Sequence, residues 1–280
     1  VMVHAEDDAL IDKGLERVAG RNDPLAHHEA RSDLAEATAI AKVGFYELST
    51  STHVHIVHTS SKIGAETIGY LKSLGARITA ETCPQYLFFT RDDVRKWGNY
   101  LKITPSLKTR HDVEGLWRAL ANGVIDVVAS DHAPSPREEK ETDVWSAWGG
   151  IPVIELIIPF IYTYGVSRNK LSFNRFVEVV SVNPAKIMNL YPHKGLIAPG
   201  SDADIVVLDT RHCTKVDPAK LHHKVDWNPF EGLEMCGWPL HVIVNGKPVI
   251  EGKELVAKPG SGKFVGEILM KYHREVDTNP

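Results

Sequence analysis

Four short apolar segments of the chain each end at a side chain that can bind a metal ion. These side chains are His4, His58, Glu81 and Asp131, and turn-forming or small residues follow each of them. Histidine and aspartate together, without a matching cluster of cysteines, are typical of a hydrolytic zinc site in which the metal activates water. The pattern therefore predicts metal-assisted hydrolysis.

Each of these residues also has a structural interpretation when it is taken alone. A histidine in a buried strand needs only a polar partner, so His4 or His58 by itself would more often be a satisfied core residue. Asp131 is the stronger candidate, because a carboxylate that ends an apolar segment is costly to bury without a partner. The three together, at the ends of successive strands, favour a metal site. Glu6 and Asp7 are expected instead to serve the first turn of a helix.

The apolar segments alternate with stretches whose apolar residues recur at helical spacing. This alternation of strand and helix requires a parallel sheet with right-handed crossovers. Chemical groups at the carboxyl ends of successive parallel strands are the arrangement of a (β/α)8 barrel enzyme. We therefore expect an α/β fold of the TIM-barrel type, with the reactive residues along one edge of the sheet.

The element pattern changes in the last third of the chain. Helices are expected at residues 8–19, 34–48, 65–74, 92–97, 111–122, 153–164, 172–181 and 184–189. Short strands are expected at 203–208, 240–244 and 248–250, and Asn245-Gly246 predicts a hairpin between the last two. We therefore divide the chain into a barrel part, residues 1–194, and a small β-sandwich module with a C-terminal tail, residues 195–280.

Composition excludes some classes of function. The 280 residues, 43% hydrophobic and 24% charged, form an ordinary globular mixture. A net charge of −4 and a pI near 6.4 give no electrostatic case for binding nucleic acid. No apolar run reaches the roughly 18 residues of a membrane span. Three cysteines without a Cys-x-x-Cys pair favour a reducing compartment, so we expect a cytoplasmic protein.

Six motifs, in order along nearly the whole chain, resemble those of the cyclic amidohydrolases, which comprise hydantoinases and dihydropyrimidinases, allantoinases and dihydroorotases. The motifs are His4-Ala5-Glu6-Asp7, Val57-His58-Thr59-Ser60-Ser61, Glu81-Thr82-Cys83-Pro84-Gln85-Tyr86-Leu87, Ser130-Asp131-His132-Ala133-Pro134, Asn183-Pro184-Ala185-Lys186 and Gly200-Ser201-Asp202-Ala203-Asp204-Ile205-Val206. The resemblance implies a metal-dependent barrel with a small β-sandwich, assembled as a homo-oligomer. It also implies two divalent metals, usually zinc, bridged by a hydroxide and a carboxylated lysine.

The resemblance assigns roles to three residues. His4 and His58 correspond to the two histidines of the second metal, and Asp131 to the aspartate that binds the first metal and shuttles the proton. The family's His-x-His pair and its bridging lysine would lie before His4. We therefore expect only the last four barrel strands here, with the chain starting inside a longer protein. The alternative is that this chain is not catalytically competent alone.

The resemblance to individual members of the family is mixed. Residues 102–108 align with the loop that holds the ring amide of the substrate, and the hydroxyl of Thr104 fits the hydantoinase pattern. Asp131-His132-Ala133-Pro134 is the dihydroorotase form, whereas residues 147–150 resemble allantoinase. The resemblance implies that Thr104, His132 and Gly150 contact the substrate.

Three hypotheses follow for function. The leading one is hydrolysis of a small cyclic amide or ureide by a hydantoinase- or dihydropyrimidinase-like enzyme, with Asp131 as the catalytic residue. The second is a dihydroorotase or an allantoinase. The third is a non-catalytic scaffold paralogue, and the presence of His4, His58 and Asp131 argues against it.

Overall fold

The first part of the chain is organised around a parallel sheet. The computed structural model describes residues 1–266, and its four parallel strands follow one another in chain order: β1 Met2–Val3, β2 Val54–Ile56, β3 Ile78–Thr82 and β4 Val127–Val128. Parallel neighbours need long crossover connections, and helices supply them here. The predicted α/β order is confirmed, and it is the order expected for the second half of a (β/α)8 barrel.

In the two central strands, β2 and β3, apolar residues alternate with polar ones and lie on one face of the sheet. Val54, Ile56, Ile78 and Ala80 are each 6% exposed or less. They pack in one apolar cluster with Ile40, Ile68 and Leu71 from the helices that cover the sheet. Burial of this kind fixes the strand register, because a slip of one residue would exchange the two faces.

Ten α-helices lie within residues 1–266. They are α1 Asp8–Arg17, α2 Pro24–Ala30, α3 Asp33–Thr50, α4 Lys62–Ser73, α5 Val94–Trp97, α6 Arg110–Ala121, α7 Arg137–Lys140, α8 Ile157–Ile161, α9 Phe173–Val177 and α10 Asn183–Ile187. Helix α2 was not predicted, although Asp23-Pro24 is a recognisable start signal with proline in the first turn. The two predicted helices at 172–181 and 184–189 form one helical segment, because the π-helical turn Glu178–Val182 joins α9 to α10.

The second part of the chain is an antiparallel β module. Strands β5 Ile205–Asp209, β8 Trp238–Val244, β9 Lys247–Glu251 and β10 Glu254–Leu255 form a sheet in the order β10-β9-β8-β5, and β6 Thr214–Lys215 pairs with β7 Glu234–Met235. The predicted hairpin is confirmed, since Asn245 and Gly246 both have positive φ between β8 and β9. The boundary after residue 194 stays a prediction, and the tail beyond residue 266 lies outside the described residues.

The segment before β7 inserts into the barrel part. Phe230 is fully buried and its ring lies 4.8 Å from that of Phe89. Trp227 Nε1 donates to the Ser135 carbonyl at 2.9 Å, and the buried Asn228 side chain donates to the Pro152 carbonyl at 2.9 Å. The β module is therefore joined to the loops beyond β4 by both apolar and polar contacts.

The cysteines differ from the expectation. Cys213 and Cys236 form a disulfide across the β6–β7 region, whereas Cys83 is free and buried. Persistent disulfides are a feature of oxidising environments, so this bond counts against the reducing compartment inferred from the cysteine count. Within residues 1–266, no helix combines the length and apolar character needed to cross a membrane.

Candidate metal centre and active site

Two histidines meet at the carboxyl edge of the parallel sheet. His4 directly follows β1, and His58 lies two residues beyond β2, which is the neighbouring strand. His4 Nδ1 and His58 Nε2 are 3.0 Å apart, and the ring centroids are 4.7 Å apart. The structure therefore brings together two residues that are 54 positions apart in sequence and that were both predicted as ligands.

His58 and Asp131 share an unusual backbone conformation. Their φ angles are +41° and +49°, in the left-handed region that residues other than glycine seldom adopt. Such strain costs about 1–3 kcal/mol and tends to persist where the surroundings require it, most often at functional sites. In both cases the turn lies within three residues of the end of a strand, at the carboxyl edge of the sheet.

A carboxylate fixes the orientation of His4. His4 Nε2 lies 2.9 Å from Glu6 Oε2, and Arg31 Nη1 donates to the same oxygen at 2.5 Å. Burial opposes ionisation of Glu6, but its hydrogen bond to His4 and the charges of Arg31 and Lys108 lower its pKa overall. An ionised Glu6 accepts a hydrogen bond from the Nε2–H of His4, which leaves the Nδ1 lone pair of His4 directed at His58. Metal-binding histidines usually have such a partner on their second nitrogen.

Glu81 and His55 form a second polar pair beside the histidines. His55 Nε2 is 3.1 Å from Glu81 Oε2, and the backbone N–H of His58 donates to the other Glu81 oxygen at 3.4 Å. His55 Nδ1 also lies 2.8 Å from the Thr79 hydroxyl. His55 thus has a partner on each nitrogen. Glu81 supports the His58 turn from the next strand.

The loop after His58 is held by a buried carboxylate on α3. Glu36 Oε1 accepts hydrogen bonds from the Ser60 N–H at 2.7 Å and the Ser60 hydroxyl at 2.9 Å. Glu36 Oε2 accepts from the Ser61 N–H at 2.8 Å and from the Ser61 hydroxyl. Burial dominates and raises the pKa of Glu36, while Lys108 and these four donors oppose that shift. Four donors on one carboxylate leave the residues after His58 little freedom.

Asp131 lies three residues beyond β4 on the same edge of the sheet. Burial raises the pKa of Asp131, the charge of Glu81 adds to this effect, and His4 opposes it. The carboxyl group is therefore within electrostatic range of the residues that surround the histidine pair. A carboxylate of raised proton affinity can accept and return a proton during a reaction.

The histidine pair fits a divalent cation. Two nitrogens that each bind one zinc ion at about 2.0–2.1 Å must lie within roughly 4 Å of each other, and the pair satisfies this limit at 3.0 Å. Burial lowers the pKa of His58 to about 4, with a further contribution from His4, so its ring is neutral as a ligand requires. His58 Nδ1 is buried without a hydrogen-bond partner. Across residues 1–266, however, no three His, Cys, Asp or Glu side chains form a group able to hold a metal ion, so the pair supplies only part of a ligand set.

The predicted substrate contacts converge in neighbouring loops. His132 Nδ1 accepts from the backbone N–H groups of Val153 and Ile154 at 3.0 and 3.1 Å, so its proton is on Nε2. A parallel β-bridge between His132 and Ile151 places the residues after Gly150 next to His132. A side chain at Gly150 would come within 2.5 Å of Ala133, which explains why glycine is needed there.

Thr104 lies in the loop of residues 102–108, beside Gly149 and Gly150. Its hydroxyl is 3.6 Å from where a Cβ on Gly149 would lie, and the Gly150 N–H donates to the Lys102 carbonyl at 3.0 Å. Two buried side chains form hydrogen bonds to backbone carbonyls of this loop. His27 Nε2 lies 2.9 Å from the Ile103 carbonyl, and Tyr86 donates to the Pro105 carbonyl at 2.8 Å.

The sequence predictions and the geometry agree in part. The structure pairs His4 with His58 and brings Thr104 close to Gly150, whereas Asp131 does not complete a three-residue metal group. The roles themselves stay predictions. Glu36 was missed as a functional residue, because a single glutamate in a helical pattern carries no sign of its partners. Glu6 and Asp7 were both assigned to the first turn of a helix; Asp7 caps α1 as predicted, whereas Glu6 contacts His4 instead.

Comparisons with known proteins agree with this architecture. The sequence profile of the amidohydrolase family matches residues 3–249. The chain is 34% identical over 270 residues to an L-hydantoinase of Paenarthrobacter aurescens, covering 95% of this chain and 59% of that protein. It is also 34% identical over 260 residues to a dihydroorotase of Halobacterium salinarum, covering 93% of this chain and 59% of that protein.

A solved structure supports the same conclusion. The dihydropyrimidinase of Brevibacillus agri superimposes with a TM-score of 0.90 at 32% identity, covering 94% of this chain and 59% of that one. This similarity confirms the barrel-type α/β fold with its added β module. The chain thus spans about three fifths of the length of the relatives it matches. The family profile and the superposition agree, and the chain belongs to the amidohydrolase family.

Proposed function

We propose that the protein hydrolyses the cyclic amide bond of a hydantoin, a dihydropyrimidine or a related ureide ring. The observation that carries this proposal is the contact between His4 and His58 at the ends of adjacent parallel strands. His58 is buried and its lowered pKa keeps the ring neutral, and its Nε2 faces a ring nitrogen of His4 at a separation that two ligands of one divalent cation can adopt. The hydantoinase and dihydropyrimidinase relatives favour this class of small substrate.

The proposed metal is zinc, in a binuclear site of the kind implied by the family resemblance. His4 through Nδ1, His58 through Nε2, and Asp131 through its carboxylate are the ligands that this chain would provide. Amidohydrolases generally use divalent metals. When bound, the metal lowers the pKa of water and polarises the amide carbonyl. Glu6 keeps His4 in the tautomer that presents Nδ1, and Glu36 and Glu81 hold the turn at His58.

Asp131 has the properties of a proton shuttle. Its carboxylate accepts the proton of the attacking water and passes it to the ring nitrogen as the amide C–N bond breaks. Burial and the nearby Glu81 raise its pKa, which makes the carboxylate a better base. Asp131 has a left-handed backbone conformation three residues beyond β4, at the carboxyl edge where the metal and the substrate are proposed to bind.

The loops at Thr104, His132 and Gly150 supply the substrate contacts in this proposal. His132 presents an N–H on Nε2, since Nδ1 is engaged by two backbone donors, and it can donate to a carbonyl of the ring. Backbone groups at Thr104 and Gly150 pair with the ring amide. The Thr104 hydroxyl favours a hydantoin or dihydropyrimidine ring.

Dihydroorotase is the second candidate. The Halobacterium salinarum relative is as similar as the hydantoinase, and the Asp131-His132-Ala133-Pro134 motif has the dihydroorotase form.

Assembly as a homo-oligomer is proposed from the family resemblance alone. A cytoplasmic location was predicted, but the Cys213–Cys236 disulfide is an observation against it.

The test combines metal content with substrate assays on the full-length protein. Elemental analysis should find about two zinc-like ions per chain, and one of hydantoin, dihydrouracil, allantoin and dihydroorotate should be hydrolysed. Asp131→Ala should abolish turnover without unfolding the protein, whereas Asp12→Ala on the exposed face of α1 should be neutral. Protein without metal or turnover would favour the scaffold hypothesis. Full activity in Asp131→Ala would refute the mechanism.

A further inference from the structure

A buried lysine connects the loops that carry the substrate contacts. Lys140, the last residue of α7, is 1% exposed. Its Nζ donates to three backbone carbonyls: Asn99 at 3.2 Å, Lys102 at 3.3 Å and Trp148 at 2.9 Å. The same ammonium lies 5.4 Å from the centre of the Trp227 ring. One side chain thus contacts two loop segments, residues 99–102 and Trp148, and also the segment that enters from the β module.

Two of those carbonyls belong to the substrate loops. Lys102 precedes Thr104 by two residues, and its carbonyl also accepts the Gly150 N–H at 3.0 Å. Trp148 precedes Gly150 by two residues, and its indole donates to the Ala133 carbonyl at 3.1 Å. The ammonium therefore sets the distance between the two backbone segments that would hold the ring amide.

Burial of the Lys140 ammonium lowers the free energy of unfolding. Burial lowers the pKa of Lys140 to about 7, and the nearby charge of Lys102 adds to the shift. A buried ammonium without a carboxylate partner is unfavourable, and an apolar side chain of similar length would avoid that cost. A group that lowers stability while organising a functional loop is typical of a residue retained for function.

We propose that Lys140 is a positioning residue that holds the backbone groups at Thr104 and Gly150 at the spacing needed to bind the substrate ring. This inference rests on the proposed function, because the ring contacts at these two residues belong to it. Lys140 itself does not touch the substrate. Its three N–H donors act through the carbonyls of Lys102 and Trp148, so its loss would loosen the loops rather than remove a reacting group.

The test compares Lys140→Met with Lys170→Met in the full-length holoenzyme. Lys170 is a matched control, since it also lies over a tryptophan ring, 4.7 Å from Trp117, but outside these loops. In Lys140→Met, KM for the hydrolysed ring should rise about tenfold with kcat changed much less, because binding groups are misplaced. Hydrogen exchange at the Gly150 amide should also accelerate, while exchange in β2 and β3 stays unchanged.

The outcomes separate this inference from the proposed function. If the wild-type protein hydrolyses a ring but Lys140→Met keeps its KM and its Gly150 protection, the positioning role is refuted alone. If the wild type hydrolyses none of the four rings, the proposed function and this inference both fall. Should Lys140→Met not fold, Lys140→Gln replaces it: its shorter side chain has only two N–H donors and cannot reach all three carbonyls. KM and exchange at the Gly150 amide should then rise by less than in Lys140→Met but still rise, and no rise in either refutes the positioning role.

Discussion

Replacing Glu36 by glutamine should destabilise the protein strongly, although the two side chains have almost the same shape. The carboxylate accepts four hydrogen bonds, two on each oxygen, from Ser60 and Ser61. A glutamine keeps one oxygen and places an NH2 group where the other oxygen was. That NH2 group faces the backbone N–H of one serine, and two donors cannot satisfy each other.

The magnitude follows from the groups that lose their partners. A serine hydroxyl can rotate and accept from the new NH2 group, but the backbone N–H stays buried and unpaired, which costs about 1–3 kcal/mol. The remaining bonds lose their charge assistance, and Lys108, which is also buried, loses the nearby negative charge. Burying a neutral glutamine costs less than burying the Glu36 carboxylate, whose pKa is raised by desolvation, and this difference offsets part of the loss in stability. We expect a net loss of about 2–4 kcal/mol.

Urea unfolding at neutral pH measures the effect. The matched control is Glu178→Gln, which removes a glutamate charge whose side chain is 48% exposed in an ion pair with Arg175. It should lower the free energy of unfolding by less than about 0.5 kcal/mol. If Glu36→Gln loses no more than this control, the carboxylate does not hold the loop after His58 and our reasoning is wrong.

Two further predictions concern the buried polar groups of the site. Glu6→Ala should lower zinc affinity about 10- to 100-fold, because it removes the acceptor of the second nitrogen of His4, and equilibrium dialysis that finds equal affinity would contradict this. His27, buried with a pKa lowered to about 4 by desolvation, stays neutral in the folded state while the unfolded state takes up a proton near pH 6.5. The free energy of unfolding should therefore fall as pH drops from about 6.5 to about 4, and His27→Gln should show a smaller fall in urea titrations at the two pH values.

The order of elements was predictable because its signals are local. Apolar strands, helical periodicity and the Asn245-Gly246 turn each depend on neighbouring residues, and the structure places all of them close to the expected positions. Helix α2 was missed because it has only seven residues and too little apolar periodicity to stand out. The Cys213–Cys236 disulfide could not be inferred, since pairing depends on the approach of β6 and β7 rather than on spacing.

The site was predictable only where its residues follow strands. His4, His58 and Asp131 were found because the carboxyl edge of a parallel sheet gathers the residues that follow each strand. Glu36 and Lys140 lie on helices, where a charged residue usually faces solvent. Their burial depends on loops far along the chain: Ser60 is 24 residues from Glu36, and the Asn99 carbonyl is 41 residues from Lys140. No local pattern identifies such partners.

The left-handed turns at His58 and Asp131 also limit which substitutions these two positions tolerate. Asparagine tolerates this backbone conformation better than most residues, so a single change of Asp131 to asparagine would leave the turn intact and remove the proton acceptor. Loss of catalysis is thus accessible without a penalty in folding, whereas a β-branched replacement would be eliminated for instability. Under the proposed function, catalysis can therefore be lost at Asp131 while the fold is kept.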